Sequence, residues 1–337
     1  MAQREKKTLI HKVWNTIKKY HLIEKGDILV LGVSGGPDSM TMLDILLKVK
    51  QANQIAFDFV VAHVNHMIRE EAKEDEEYVK NYCMKNNIQF YGKSIDVQKI
   101  ANTNKISTEE AGRNARYDFF DEVLQNINGN KIAIAHNKND KVETMMMNAL
   151  RGCGIQGLKG IEPIRGKYIR PLIECERKEI EDYCKEKNIE PRIDKTNFEN
   201  VYTRNKIRNI VIPYIQQEFN PNILETMDRL SHLVTEQEAY IQKQVEKVYN
   251  DIVLEENINV YIILDLKGFN KQEKVIKSNL ILYTITRLFG TTKGIEKIHI
   301  EDMIKLCANN IGNKFLMPNK NLKIFIKNGK MKICKEV

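Results

Sequence analysis

Apolar residues along this chain fall into two alternating patterns. Short apolar runs at Asp27–Gly32, Phe57–Ala62, Ile88–Tyr91, Lys131–Ala135 and Tyr168–Leu172 read as buried strands. Between them, apolar positions recur at helical spacing. Such stretches cover Thr8–Tyr20, the run after Met40 (Leu43, Ile45, Leu46, Leu47), Glu70–Lys85, a segment ending near Leu150, and Glu176–Lys187. Ser107 with Glu110 three residues on is a capping-box start for a further helix reaching about Ile127, and Asn128-Gly129-Asn130 is a turn. Strands alternating with helices predict an α/β fold, a doubly wound, mostly parallel, Rossmann-like sheet.

The pattern changes in the second half. Pro191 and the polar run Asp194–Asn197 mark an irregular loop. Thr203 opens a helix that Pro213 would bend or break, and Phe219-Asn220-Pro221-Asn222 reads as a boundary. A long polar helix over Ile223–Tyr249 then leads into a smaller helical or α+β part. Near its end, Leu322–Ile326 and Met331–Cys334 flank Asn328-Gly329, a hairpin signal. The 337 residues exceed one ordinary core, so two domains are expected, 1–217 and 218–337.

In a parallel sheet, ligands bind beyond the carboxyl ends of the strands. The first strand runs into Ser34-Gly35-Gly36-Pro37-Asp38-Ser39, the second into His63–Arg69, and the fourth into His136–Asp140, so the polar residues fall on one rim. Gly35 and Gly36 let the backbone approach a ligand closely, and Ser34, Ser39 and the helix N–H groups are donors suited to phosphate. A carboxylate beside a polyphosphate is repulsive unless a divalent cation intervenes, so Asp38 points to Mg²⁺. The loop is not a Walker A motif, because no Gly-Lys-Ser/Thr follows. Gly152–Gly157 matches G-x-G-x-x-G but follows a helix rather than a strand, which argues against a dinucleotide site.

Composition narrows the class. A hydrophobic fraction of 42% with 29% charged residues is that of a globular protein, and no run is long enough to span a membrane. The start of the chain lacks the apolar core of a signal peptide, and the six cysteines contain no Cys-x-x-Cys pair, which fits a reducing cytoplasm. The net charge of +8 and the lysine-rich tail (Lys314 to Lys335) permit a polyanionic partner. Lysines on an exposed sheet edge also protect it from aggregation.

Several blocks occur in one order: Ser34–Ser39, His63-Val64-Asn65-His66…Arg69, Arg113-Asn114-Ala115-Arg116-Tyr117, His136…Asp140-Lys141-Val142-Glu143-Thr144, Arg151-Gly152, Arg170-Pro171-Leu172 and Arg204–Arg208. The first resembles the SGGxDS loop of the N-type ATP pyrophosphatases, the PP-loop ATPases. Together the blocks resemble the bacterial tRNA(Ile)-lysidine synthase family, strongly over Gly26–Pro213 and weakly beyond. The resemblance implies a cytoplasmic ligase that acts on tRNA(Ile) with a CAU anticodon. ATP adenylates C2 of the wobble cytidine with loss of pyrophosphate, and free L-lysine then displaces AMP. It implies ATP contacts from Ser34, Gly35, Gly36, Pro37, Asp38, Ser39 and His63, with Mg²⁺ near Asp38. Catalytic roles fall to Asp38, Arg113 and Asp140, and tRNA contacts to Arg204 and Arg208; a homodimer is left open.

The chemistry suits these residue types. A lysine amine of pKa about 10.4 is roughly three decades from its neutral form at pH 7, so a nearby acceptor such as Asp140 matters. Asp140 also fits a plain helix cap, Arg113 a surface arginine, Arg204 with Arg208 a solvated helix face, and His63 with His66 partners for strand-end backbone groups. Asn137 stands where the family commonly has His, Asn139 where it often has Asp, and Cys153 where it has Ser. Longer members carry a further C-terminal domain, and the chain stops near where it would begin, which fits a short-form member or a truncated chain. A tRNA thiolase of the same superfamily is the alternative, disfavoured by the dispersed cysteines. A small-molecule amidating synthetase and a non-catalytic tRNA-binding homologue are the others.

Overall fold

The computed structural model describes residues 8–67, 72–192, 202–258, 260–308 and 314–336. Arg69, the start of the expected helix at Glu70 and the run Asp194–Asn197 lie outside the described residues. The chain forms two compact units, Met1–His232 and Leu233–Val337.

The first unit holds a six-stranded sheet in the order β3-β2-β1-β4-β6-β5. Its strands are β1 (Ile28–Gly32), β2 (Asp58–Asn65), β3 (Phe90–Ser94), β4 (Lys131–Ile134), β5 (Ile164–Arg165) and β6 (Tyr168–Ile169). All pairings are parallel except β5 with β6. β1 is central, and Leu29, Val30 and Leu31 are fully buried because helices cover both faces. On one face, α1 (Leu9–Lys19), α2 (Pro37–Gln51) and α7 (Arg177–Glu186) contribute Val13, Leu43, Leu46 and Ile180 to a core that includes Leu29 and Leu31. On the other face, α5 (Thr108–Asn126) packs Phe119, Phe120 and Val123 against Val30, Val60 and Ile132. A Cβ on Gly32 would lie 2.6 Å from the Phe120 ring, so the last residue of β1 is held to glycine by this contact.

Several elements differ from the sequence reading: β6 ends at Ile169 rather than Leu172, and β5 is added beside it. β2 runs on to Asn65 because β3 pairs with it as far as Asn65↔Ser94, so His63 lies within a strand rather than in the loop after it. β3 itself starts at Phe90, not Ile88. A short helix, α4 (Val97–Asn104), precedes α5; its apolar face is only Val97 and Ala101 against Ala111, too sparse for a periodic signal. Beyond α3 (Ala72–Lys85), α6 (Lys138–Leu150) and α8 (Thr203–Lys206), a π-helical turn at Ile207–Val211 leads into α9 (Ile212–Glu218). Pro213 opens α9, where its missing N–H is tolerated. α10 (Ile223–Ile252) carries the unit boundary within its length.

The second unit is a five-stranded antiparallel sheet, order β7-β8-β11-β10-β9, with helices α11 (Leu266–Asn270), α12 (Lys274–Phe289) and α13 (Lys297–Ala308). Its strands are β7 (Val253–Asn257), β8 (Tyr261–Asp265), β9 (Lys314–Asn319), β10 (Leu322–Lys327) and β11 (Lys330–Lys335). The expected hairpin is present: Lys327 pairs with Lys330 around Asn328 (φ 49°) and Gly329 (φ 72°), both left-handed. Leu322, Ile324 and Ile326 alternate inward. Lysines of β10 and β11 lie over rings, Lys323 at 5.0 Å from the Phe315 centroid and Lys332 at 4.0 Å from that of Tyr261.

Candidate active site

The loop between β1 and α2 is built for an anion. Gly35 has φ +90°, a conformation that side chains rarely adopt, and Gly36 is the N-cap of α2 without any side-chain cap bond. Pro37 occupies the first helical turn, so the N–H groups of Asp38 and Ser39 remain for a ligand. Ser39 is buried and acts within the loop: its hydroxyl donates to the Gly36 carbonyl at 3.0 Å and accepts the Ser34 N–H at 3.1 Å. The exposed hydroxyl at this loop is that of Ser34, 3.2 Å from Ser39 Oγ.

Asp38 stands at the start of α2, and Asn137 joins it to the end of β4. Asn137 Nδ2 donates to Asp38 Oδ1 at 2.8 Å. The same Asn137 is the N-cap of α6: its Oδ1 accepts the Asp140 N–H, and its own N–H donates to Asp140 Oδ2, both at 3.0 Å. One asparagine therefore fixes both carboxylates. The Asp38 pKa is pushed up to about 6, first by burial and then by the Asp140 charge.

Asp140 is more than a helix cap. Its Oδ1 accepts from Arg204 Nη2 at 2.9 Å and Arg208 Nη2 at 3.0 Å. Glu143, one turn on and almost fully buried, accepts from Arg204 Nε (2.8 Å) and from Arg208 Nε (2.6 Å) and Nη2 (2.8 Å). Arg204 and Arg208, read from the sequence as tRNA contacts, are thus directed onto the acids of α6. Lys141 of α6 pairs with Asp228 at 2.8 Å, and Lys138 with Glu225 at 2.7 Å, which anchors the start of α10 to the same helix.

His63 is buried, and its Nδ1 donates to the Val33 carbonyl at 2.9 Å, tying β2 to the β1 loop. Burial lowers its pKa, so it is a neutral donor to backbone. Arg113 is exposed on α5, with its guanidinium 5.5 Å from the Tyr117 ring centroid and no carboxylate partner among the described residues. The structure brings Asp38, Asn137, Asp140, Glu143, Arg204 and Arg208 into one connected network. Glu143 and the bridging role of Asn137 escaped the sequence reading. Their signals were the Asn137–Asp140 capping spacing and the match between acids three apart on α6 and arginines four apart at 204 and 208.

The chain was compared with known proteins. The family model described as PP-loop domain matches residues 5–215. The chain belongs to the PP-loop family. Within it, the chain is 44% identical to the tRNA(Ile)-lysidine synthase of Caldanaerobacter subterraneus over 92% of its own length and 66% of that protein. It is 45% identical to that of Clostridium acetobutylicum over 92% of its length and 67% of that protein. The chain thus spans about two thirds of the length of these curated relatives. Among solved structures, the U34-tRNA thiolase NcsA from Methanococcus maripaludis with its [4Fe-4S] cluster superimposes with TM-score 0.55 at 16% identity, over 67% of this chain and 78% of that one. This likeness shows the shared mostly parallel fold.

Proposed function

We propose that this chain is the catalytic part of a tRNA(Ile)-lysidine synthase: it uses ATP to join L-lysine to C2 of the wobble cytidine of a CAU-anticodon tRNA. The cytidine O2 attacks the α-phosphorus of ATP, and pyrophosphate leaves. The lysine ε-amine then attacks C2, loses a proton, and AMP departs with the oxygen. The observation that carries this reading is the Asn137 bridge, which sets the carboxylate beside the phosphate loop and the carboxylate of α6 in one site.

In this reading the N–H groups of Asp38 and Ser39 at the start of α2 bind ATP phosphate, with Gly35 and Gly36 giving close approach. Asp140 accepts three hydrogen bonds, which leaves acceptor capacity on its carboxylate to orient the amine or take its proton. Arg113 balances charge developing on phosphate or on the cytidine oxygen. Mg²⁺ fits Asp38: among the described residues there is no group of three or more His, Cys, Asp or Glu disposed as metal ligands, and a magnesium ion needs only one or two carboxylates beside phosphate oxygens and water. When bound, the ion supplies charge neutralisation for the departing pyrophosphate. Among the described residues no helix is long and apolar enough to cross a membrane.

The test is ATP-dependent incorporation of labelled lysine into CAU-anticodon tRNA, with release of AMP and pyrophosphate. Asp38→Ala and Asp140→Ala are each expected to lower the rate by at least about a hundredfold. Full activity in both variants overturns the site. Incorporation of sulfur in place of lysine overturns the reaction and returns the thiolase, and pyrophosphate release indifferent to tRNA points to a small-molecule substrate.

A further inference from the structure

A second group of charges on the same rim has no acids paired with it among the described residues. Arg170, just after β6, is 5% exposed, yet its partners are neutral: Nε donates to His136 Nδ1 at 3.2 Å and Nη1 to the Glu162 carbonyl at 2.6 Å. The Glu162 carboxylate lies 3.4 Å from Lys159 instead. Arg116, on α5, meets His66 Nε2 with Nη2 at 3.1 Å and is open to solvent. Among the described residues no carboxylate pairs with Arg113, Arg116 or Arg170. The imidazoles cannot compensate, because a guanidinium can only donate. His66 Nε2 and His136 Nδ1 must therefore be bare acceptors, and each ring carries its proton on the other nitrogen. His136 is held neutral, its pKa down to about 3, by burial and then by Arg170, Arg204, Arg113 and Arg116. Its Nε2–H has no hydrogen-bond partner among the described residues and is left as a donor. An enclosed cation without a counter-ion is costly to the fold, and its retention calls for an anion supplied from outside.

We propose that Arg116 and Arg170, with the Nε2–H of His136, form an oxyanion seat for a phosphate group at the carboxyl ends of β2, β4 and β6. It is distinct from the phosphate-binding turn at β1. Two sources share this chemistry, a phosphodiester of the polynucleotide substrate and the pyrophosphate leaving from ATP. The phosphodiester is favoured, because the amides at the start of α2 already serve the nucleotide and Arg116 opens to solvent. This inference rests on the proposed function for its RNA arm alone.

Arg116→Met and Arg170→Lys are compared with wild type in three measurements: binding of CAU-anticodon tRNA over a salt series, calorimetric binding of ATP and of inorganic pyrophosphate, and thermal melting. The expected result is roughly tenfold weaker tRNA binding in Arg116→Met, a log K against log salt slope smaller by about 1, unchanged ATP binding, and a melting temperature equal to or above wild type. Weaker pyrophosphate binding with unchanged tRNA binding assigns the seat to the leaving group. Should wild type bind no tRNA, the RNA reading of the whole protein fails, and the pyrophosphate arm still decides the seat. Unchanged affinity for tRNA, ATP and pyrophosphate overturns the seat. A clear drop in the melting temperature of Arg116→Met also overturns it, since that residue would then be structural.

Discussion

Two sets of arginines lie in the first unit and differ in what answers their charge. Arg204 and Arg208 are held by Asp140 and Glu143 through ion pairs of 2.6–3.0 Å. Among the described residues, Arg116 and Arg170 meet imidazole nitrogens and a carbonyl and no carboxylate. The first set is an internal clamp that holds the acids of α6; its charge is already neutralised. The second keeps its charge for a ligand. Both sets occur in the sequence blocks that carry the family resemblance, and the partner of each guanidinium separates them.

The sharpest way to break this contrast is to remove the acid that holds the first set. Glu143→Ala leaves Arg204 and Arg208 sharing Asp140 alone beside a buried gap, and about 3–5 kcal/mol of stability should be lost, read by urea denaturation. A loss within error would mean that the clamp is not structural. Arg208→Met comes next, with an expected cost of about 2–3 kcal/mol from the exposed need of Glu143 and Asp140 for a partner. The same substitution at Arg116 should cost nothing. Equal losses at both positions would erase the distinction between the two sets.

The smallest effect sits on Asp38, which Asn137 joins to the first set's Asp140. The Asp38 carboxyl titrates near 6 in the fold, above its ordinary value of 3.8, because of burial and then Asp140. Its contribution to stability is therefore complete below about pH 4 and is lost as the pH rises through 6. Asp38→Asn should be more stable than wild type at pH 8, by at most about 3 kcal/mol, and the gap should close toward pH 4. Added Mg²⁺ should raise the wild-type melting temperature at pH 8 and leave Asp38→Asn unmoved. A gap that does not vary with pH would place the carboxyl in water.

Strands and helices were legible where burial is one-sided or complete. β1 and β4 are short apolar runs between helices, and the Asn328-Gly329 hairpin follows from two residues that tolerate left-handed backbone. α4 was not legible, since only Val97 and Ala101 bury, and the end of β2 was not, since β3 pairing extends it. The rim itself was visible because each strand of a parallel sheet delivers its next residues to the same side. His63 shows the limit: the sequence left it between a nucleotide contact and a partner for strand-end backbone, and the fold sets its Nδ1 against the Val33 carbonyl.

The sequence by itself determined the alternation of strands and helices, the glycine turn that suits phosphate, and the chain positions of Asp38 and Asp140, because these depend on local periodicity and backbone freedom. Only the tertiary structure decided that Asn137 reaches Asp38 across 99 residues and so couples it to Asp140, that Glu143 is a partner, and which arginines are neutralised. A charge is defined by what stands within a few ångströms of it, and those neighbours come from distant segments that no local pattern pairs.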